Sequence, residues 1–214
     1  MKITEIEYQK NNKDKVNIFV DGSYLFSLSV NGVAKYMLYK DKEITDEEIS
    51  SMKIDDEKEI AYQYALKRIS EKMYSRKELK DKLIKKGFLE DSIKYALDKA
   101  SSYNYIDDTY YTKCFIEQRA IPNKWGKNII KQKLYQKGID KDLIEKSLDE
   151  YFTEEDSKDN CYELCVKKFR SLNIDSLSDR KNVDKIYRFL LSKGYSFDEI
   201  NTSIEHLKSE IKEL

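Results

Sequence analysis

The stretch Leu79-Lys80-Asp81-Lys82-Leu83-Ile84-Lys85-Lys86-Gly87-Phe88 constrains this chain most, because it is written three times. It returns as Ile130-Lys131-Gln132-Lys133-Leu134-Tyr135-Gln136-Lys137-Gly138-Ile139 and as Ile186-Tyr187-Arg188-Phe189-Leu190-Leu191-Ser192-Lys193-Gly194-Tyr195. With the glycines in register, Leu79, Ile130 and Ile186 stand eight residues before, and Leu83, Leu134 and Leu190 four before. Ile93, Ile144 and Ile200 stand six after, and Leu97, Leu148 and Ile204 ten after. Apolar residues four apart with charge between them make an amphipathic helix. A lysine–glycine pair closes it, since glycine adopts the left-handed conformation of a helix C-terminus and lysine in the last turn suits the helix dipole. A second helix then starts near Asp140 or Ser196, where Ser196 and Glu199 read as a capping box.

A third helix precedes each pair. Tyr62, Ala65, Leu66 and Ile69 share one face, and Tyr111, Cys114 and Phe115, then Tyr162, Cys165, Val166 and Phe169, repeat that spacing. Each unit is therefore three helices in about 50 residues, and such units stack. The reading is a mainly helical fold of three tandem three-helix repeats forming an elongated, curving array. A small antiparallel β element precedes them.

That element is read from residues 1–30. Lys2 to Tyr8 alternates, as does Val16 to Val20, and Asp21-Gly22 separates the latter from Ser23 to Val30. Asp-Gly between alternating runs is a hairpin signal, so three short strands are expected. Too small to stand alone, they need a helix to pack on, and Gly32 to Tyr39 is a candidate. The stretch Asp41 to Glu59 carries nine acidic and three basic groups, with Thr45 and Glu48 as a second capping box. The domain reading is a β element with a short helix at 1–50, an acidic linker at 51–58, and repeats at 59–104, 105–152 and 153–214. The third repeat has the longer middle connection, Ser171 to Arg180.

Charge is balanced overall, with 40 basic and 40 acidic residues, but it is segregated. Residues 67–86 and 113–137 each carry a net +6, and residues 140–163 carry −7. Such blocks favour charged partners. No apolar run approaches the roughly 20 residues of a membrane span, and the opening residues lack a signal-peptide pattern. Three cysteines, an odd number, suit a reducing compartment, so a cytoplasmic protein is expected. Cys114 and Cys165 occupy matching core positions in two repeats, and burial is their expected role. A single histidine, His206, leaves neither histidine acid–base catalysis nor a four-ligand zinc site in prospect. There is no glycine-rich phosphate loop, Gly-x-Ser-x-Gly, His-Glu-x-x-His or Cys-x-x-Cys. No enzyme and no cofactor is expected.

What remains is surface. Arg76 and Lys80 stand eleven and seven residues before Gly87, and Lys127 and Lys131 stand at the same places before Gly138. Lys82 and Lys133 correspond at five before. The third repeat has Val183, Tyr187 and Phe189 there. A solvated face explains this basic stripe, and so does a surface that binds phosphates or acidic groups. Its loss in one copy argues for the second. Trp125 lies in the interruption Ile121-Pro122-Asn123-Lys124-Trp125-Gly126 and is either a core anchor or an exposed partner contact.

The chain resembles the regulatory protein RecX family, modulators of the RecA recombinase. The resemblance spans the whole chain and rests on Ser75-Arg76-Lys77-Glu78-Leu79 through Lys86-Gly87-Phe88, on Tyr105-Ile106-Asp107-Asp108, on Gly126 through Lys137-Gly138-Ile139, and on Tyr187-Arg188-Phe189-Leu190 through Gly194-Tyr195. The strands with Val20-Asp21-Gly22 look like the N-terminal extension of Gram-positive-type members. The resemblance implies tandem three-helix repeats and a non-enzymatic regulator, most often an inhibitor, that binds the RecA–DNA filament. DNA recombination, repair and the SOS response follow as its context, and a monomer that avoids membranes is expected. Members are often basic overall, whereas this chain is neutral, which puts strong independent binding of single- or double-stranded DNA in doubt. The different-class alternative is a stand-alone nucleic-acid-binding module.

Overall fold

A computed structural model describes the backbone of residues 1–172, 177 and 179–213, and side chains up to residue 211. The chain divides into two compact units, Met1–Ile106 and Asp107–Leu214.

The first unit opens with strands β1 (Ile3–Tyr8), β2 (Lys15–Val20) and β3 (Ser23–Ser29), antiparallel and in that order. Asp21 (φ 47°) and Gly22 (φ 82°) close a two-residue turn between Val20 and Ser23. Positive φ at both central residues is the condition for a turn that matches strand twist. One sheet face is apolar. Ile3, Val16, Ile18, Val20, Phe26 and Leu28 pack there with Leu38, Ile44, Ile49 and Met52. The other face carries the Phe19–Tyr24 ring pair and polar groups, where Gln9 Nε2 donates to Asn17 Oδ1 at 2.9 Å and to Ser27 Oγ at 3.1 Å. Helix α1 (Val30–Lys35) follows, capped by Ser29.

Helix α2 (Asp46–Glu71) starts at the Thr45–Glu48 capping box, with Thr45 N donating to Glu48 Oε2 at 2.9 Å and Glu48 N to Thr45 Oγ1 at 3.2 Å. It runs through residues 51–58 without a break, so the linker expected there is helix. Ile49, Met52 and Asp56 are buried at helical spacing. The aspartate hides that stripe from a hydrophobicity reading. Asp56 accepts from Ser29 N at 2.9 Å and also from Ser29 Oγ, which fixes the start of α1 against α2. Farther along, Ala61, Tyr62 and Ala65 of α2 join Leu79, Leu83, Ile93, Ala96 and Leu97 in the first helical core. Those residues come from α3 (Arg76–Lys86) and α4 (Glu90–Ser102).

The second unit holds two more triplets. Helix α5 (Asp108–Phe115) is capped by Asp107 and passes into a single π turn, Ile116–Ala120, before α6 (Lys127–Gln136) and α7 (Lys141–Tyr151). Helices α8 (Glu154–Ser171), α9 (Arg180–Ser192) and α10 (Phe197–Glu213) form the last triplet. In the expected connection from Ser171 to Arg180, positions 173–176 and 178 fall outside the described residues. The α10 capping box is formed, with Ser196 N donating to Glu199 Oε2 at 2.7 Å.

Leu83, Leu134 and Leu190 are each fully buried, and Gly87, Gly138 and Gly194 sit at φ 91°, 77° and 92°. Both results follow from the repeat register. The cysteine expectation needs one correction. Cys165 has no exposed surface, but Cys114 is only half-buried. The π turn directly after α5 alters the helical phase, and Phe115, Ile116 and Ala120 take the core side.

Candidate binding surface

The basic stripe belongs to α3 in the first unit and α6 in the second. In each triplet these helices run antiparallel to the next one, α4 or α7, across the closing glycine. Residues equally far before and after the glycine therefore face each other. Arg76, eleven before Gly87, pairs with Asp98, eleven after. It also donates from Nη1 to Ser101 Oγ at 2.8 Å. Lys127 and Asp149 repeat the pairing at 3.8 Å around Gly138, and Lys131 meets Glu145, seven either side, at 2.6 Å. Three of the stripe cations thus lie in seams between helices. Their side chains are 31–41% exposed, and exposed pairs of this kind contribute roughly 0–1 kcal/mol.

Lys80 and Lys82 are exposed and take part in no ion pair among the described residues. Lys133 instead covers Trp125, its Nζ 4.9 Å from the ring centroid. Trp125 packs half-buried beside Phe115, with centroids 6.0 Å apart, at the edge of the core around Ile130 and Leu134. In the third triplet the stripe positions are apolar, and Tyr187 stacks on Phe197 with centroids 5.9 Å apart. The sequence reading found the cations and missed their counter-charges Asp98, Glu145 and Asp149. The signal was available as mirror offsets about each glycine.

Within the second unit, α6 begins against the turn that ends α9. Gly126 N donates to Lys193 O at 2.8 Å, Asn128 N to Gly194 O at 3.2 Å, and Tyr195 OH to Lys124 O at 2.8 Å. A Cβ on Gly126 would stand 2.5 Å from the Gly194 carbonyl, so main chain touches main chain here. A cleft beside this junction is lined by Lys127, Lys131 and Lys158 and by Glu154, Asp198 and Glu199. Its charges balance. Burial pushes the Glu199 carboxyl up, but hydrogen bonds from the Ser157 hydroxyl and from the Ser196 amide and hydroxyl outweigh that and hold it below the usual range. Among the described residues, no group of His, Cys, Asp and Glu could hold a metal ion. No described helix is long and apolar enough to cross a membrane.

Comparison with known proteins adds the decisive observation. The model of the regulatory protein RecX N-terminal domain matches residues 1–45. Those of the first, second and third RecX three-helix domains match 61–99, 107–148 and 154–204. The chain belongs to the RecX family. The regulatory protein RecX of Clostridium perfringens strain 13 is 35% identical over 206 residues, covering 96% of each chain. That of Bacillus subtilis strain 168 is 30% identical and covers 97% of this chain and 78% of its own. A crystal structure titled regulatory protein RecX superimposes with a TM-score of 0.71 at 27% identity, covering 95% of this chain and 98% of the other. The RecX structure from Lactobacillus salivarius gives 0.62 at 31% identity, covering 72% and 97%. The RecX resemblance read from the sequence and the fold of three helical triplets behind a three-stranded sheet both hold.

Proposed function

We propose that this protein is a non-enzymatic regulator of the RecA recombinase that binds the RecA–DNA filament and lowers its activity in recombination, repair and the SOS response. One observation carries the reading: the four RecX regions follow in order along almost the whole chain. It acts as a monomer in the cytoplasm. The filament contact is assigned to the basic positions of the first two triplets, Arg76, Lys80, Lys82, Lys127, Lys131 and Lys133, with Trp125 beside them. A filament on DNA offers phosphates and acidic groups, and screening over about 8–10 Å means that only close charges count. The test is RecA-dependent ATP hydrolysis on single-stranded DNA, titrated with this protein. A falling rate supports the proposal. An unchanged rate up to equimolar protein ends it.

A further inference from the structure

In the first two triplets the mirror relation about the glycine has one exception, and it is in the first. Arg76–Asp98 and Lys127–Asp149 occupy the same offsets, so the α3/α4 and α6/α7 hairpins share a register. Seven residues either side, the second triplet places the Lys131–Glu145 pair. The first triplet places Lys80 and Lys94 at those positions. Both are exposed, and neither has a hydrogen-bond or ion-pair partner among the described residues. On its own helix Asp98, four residues on, is taken by Arg76, and Asp91 and Glu90, three and four residues before Lys94, form no ion pair with it among the described residues. Two ammonium groups thus flank a point where the neighbouring triplet closes a salt bridge, and an anion seated between them completes the seam.

We propose that Lys80 and Lys94 together hold one phosphodiester of a nucleic-acid backbone. A planar carboxylate is matched best by the fork of an arginine, and the arginine of this seam already serves Asp98. Two separate point charges suit the divergent oxygens of a phosphate. Exposed rings follow in the same triplet. Tyr95 adjoins Lys94, and Tyr103 stacks on Tyr105 with centroids 5.7 Å apart, offering flat surfaces to unpaired bases. The site stands on the first triplet alone and needs no recombinase.

The experiment is fluorescence anisotropy of a labelled oligothymidylate with the full chain over a salt series. For wild type, log affinity falls linearly with log salt. The double change Lys80→Gln and Lys94→Gln lowers that slope by about 0.7, the value of one single-strand phosphate contact. It also weakens binding several-fold at low salt. Lys10→Gln with Lys13→Gln, an equal loss of charge in the β1–β2 turn, leaves the slope in place. Lys94→Glu copies the second triplet's pair. It loses binding while its thermal midpoint stays level or rises, which separates loss of the site from unfolding. The proposal is overturned by an unchanged slope in Lys80→Gln/Lys94→Gln, by an equal fall in the Lys10/Lys13 variant, or by wild type showing no salt-dependent binding. Normal oligonucleotide binding with lost action on RecA would assign the two lysines to an acidic protein surface instead. Intact oligonucleotide binding by a wild type without effect on RecA would sink the filament reading and leave this one standing.

Discussion

Gly87 and Gly126 are needed for different reasons, and alanine separates them. Gly87 stands at φ 91° with open space around it, so Gly87→Ala meets only backbone strain, about 1–2 kcal/mol. Gly126 has an ordinary φ of −71°, but its added Cβ would meet the Gly194 main chain at 2.5 Å. Backbone cannot step aside as a flexible side chain can. Gly126→Ala therefore destabilises the second unit by more than Gly87→Ala destabilises the first, and urea melts of the two variants rank them. Leu134 tests packing rather than backbone. It is fully buried among Ile130, Ile144 and Leu148, and Leu134→Ala costs about 2–5 kcal/mol. A loss under about 1 kcal/mol in the same melts would refute the repeat register.

At the scale of helices, Glu199 joins two elements, because the Ser157 hydroxyl of α8 donates to a carboxylate that also caps α10. Its folded pKa is depressed, so the unfolded chain binds its proton more readily. The contribution is present above the unfolded value of about 4.3 and is lost as pH falls through the folded value. Glu199→Gln should flatten the acid limb of stability against pH, read by circular dichroism between about pH 2 and 6. Trp125 reports on α6. Half-buried under Lys133, it should emit to the blue of free tryptophan, and adding filament should shift it only if the ring is part of the contact. The periodic helices, their glycine ends and the Asp21-Gly22 hairpin were legible because each is a local rule. The middle of α2 was not, since Asp56 interrupts its apolar stripe and its bonds to Ser29 are long-range. The seam was half legible. The cations lie together in sequence, but each counter-charge comes after the turn. The π turn left no signal beyond Pro122 shortly after it.

Taken over the whole chain, the seams change how the stripe must be tested. Reversing Arg76, Lys80, Lys127 and Lys131 to Glu would set like charges against Asp98, Asp149 and Glu145, so at three of the four the change would disturb the fold as well as the surface. The same four positions changed to Gln should still fold, with a loss of no more than about 3 kcal/mol for the three pairs together, and should lose most of the effect on RecA ATP hydrolysis. A Gln variant that folds and acts as wild type would return the stripe to plain solvated surface. Helix α2 bears on inheritance rather than on binding. The RecX matches stop at residue 45 and resume at 61, as though a joint lay between them, yet one unbroken helix fills that interval and lends residues to two cores. A lineage cannot discard the strands by a clean gene truncation there, because Ile49 and Met52 would be left facing water. Loss or gain of the N-terminal element has to be accompanied by rewriting the first half of a helix that the recombination breakpoint does not touch.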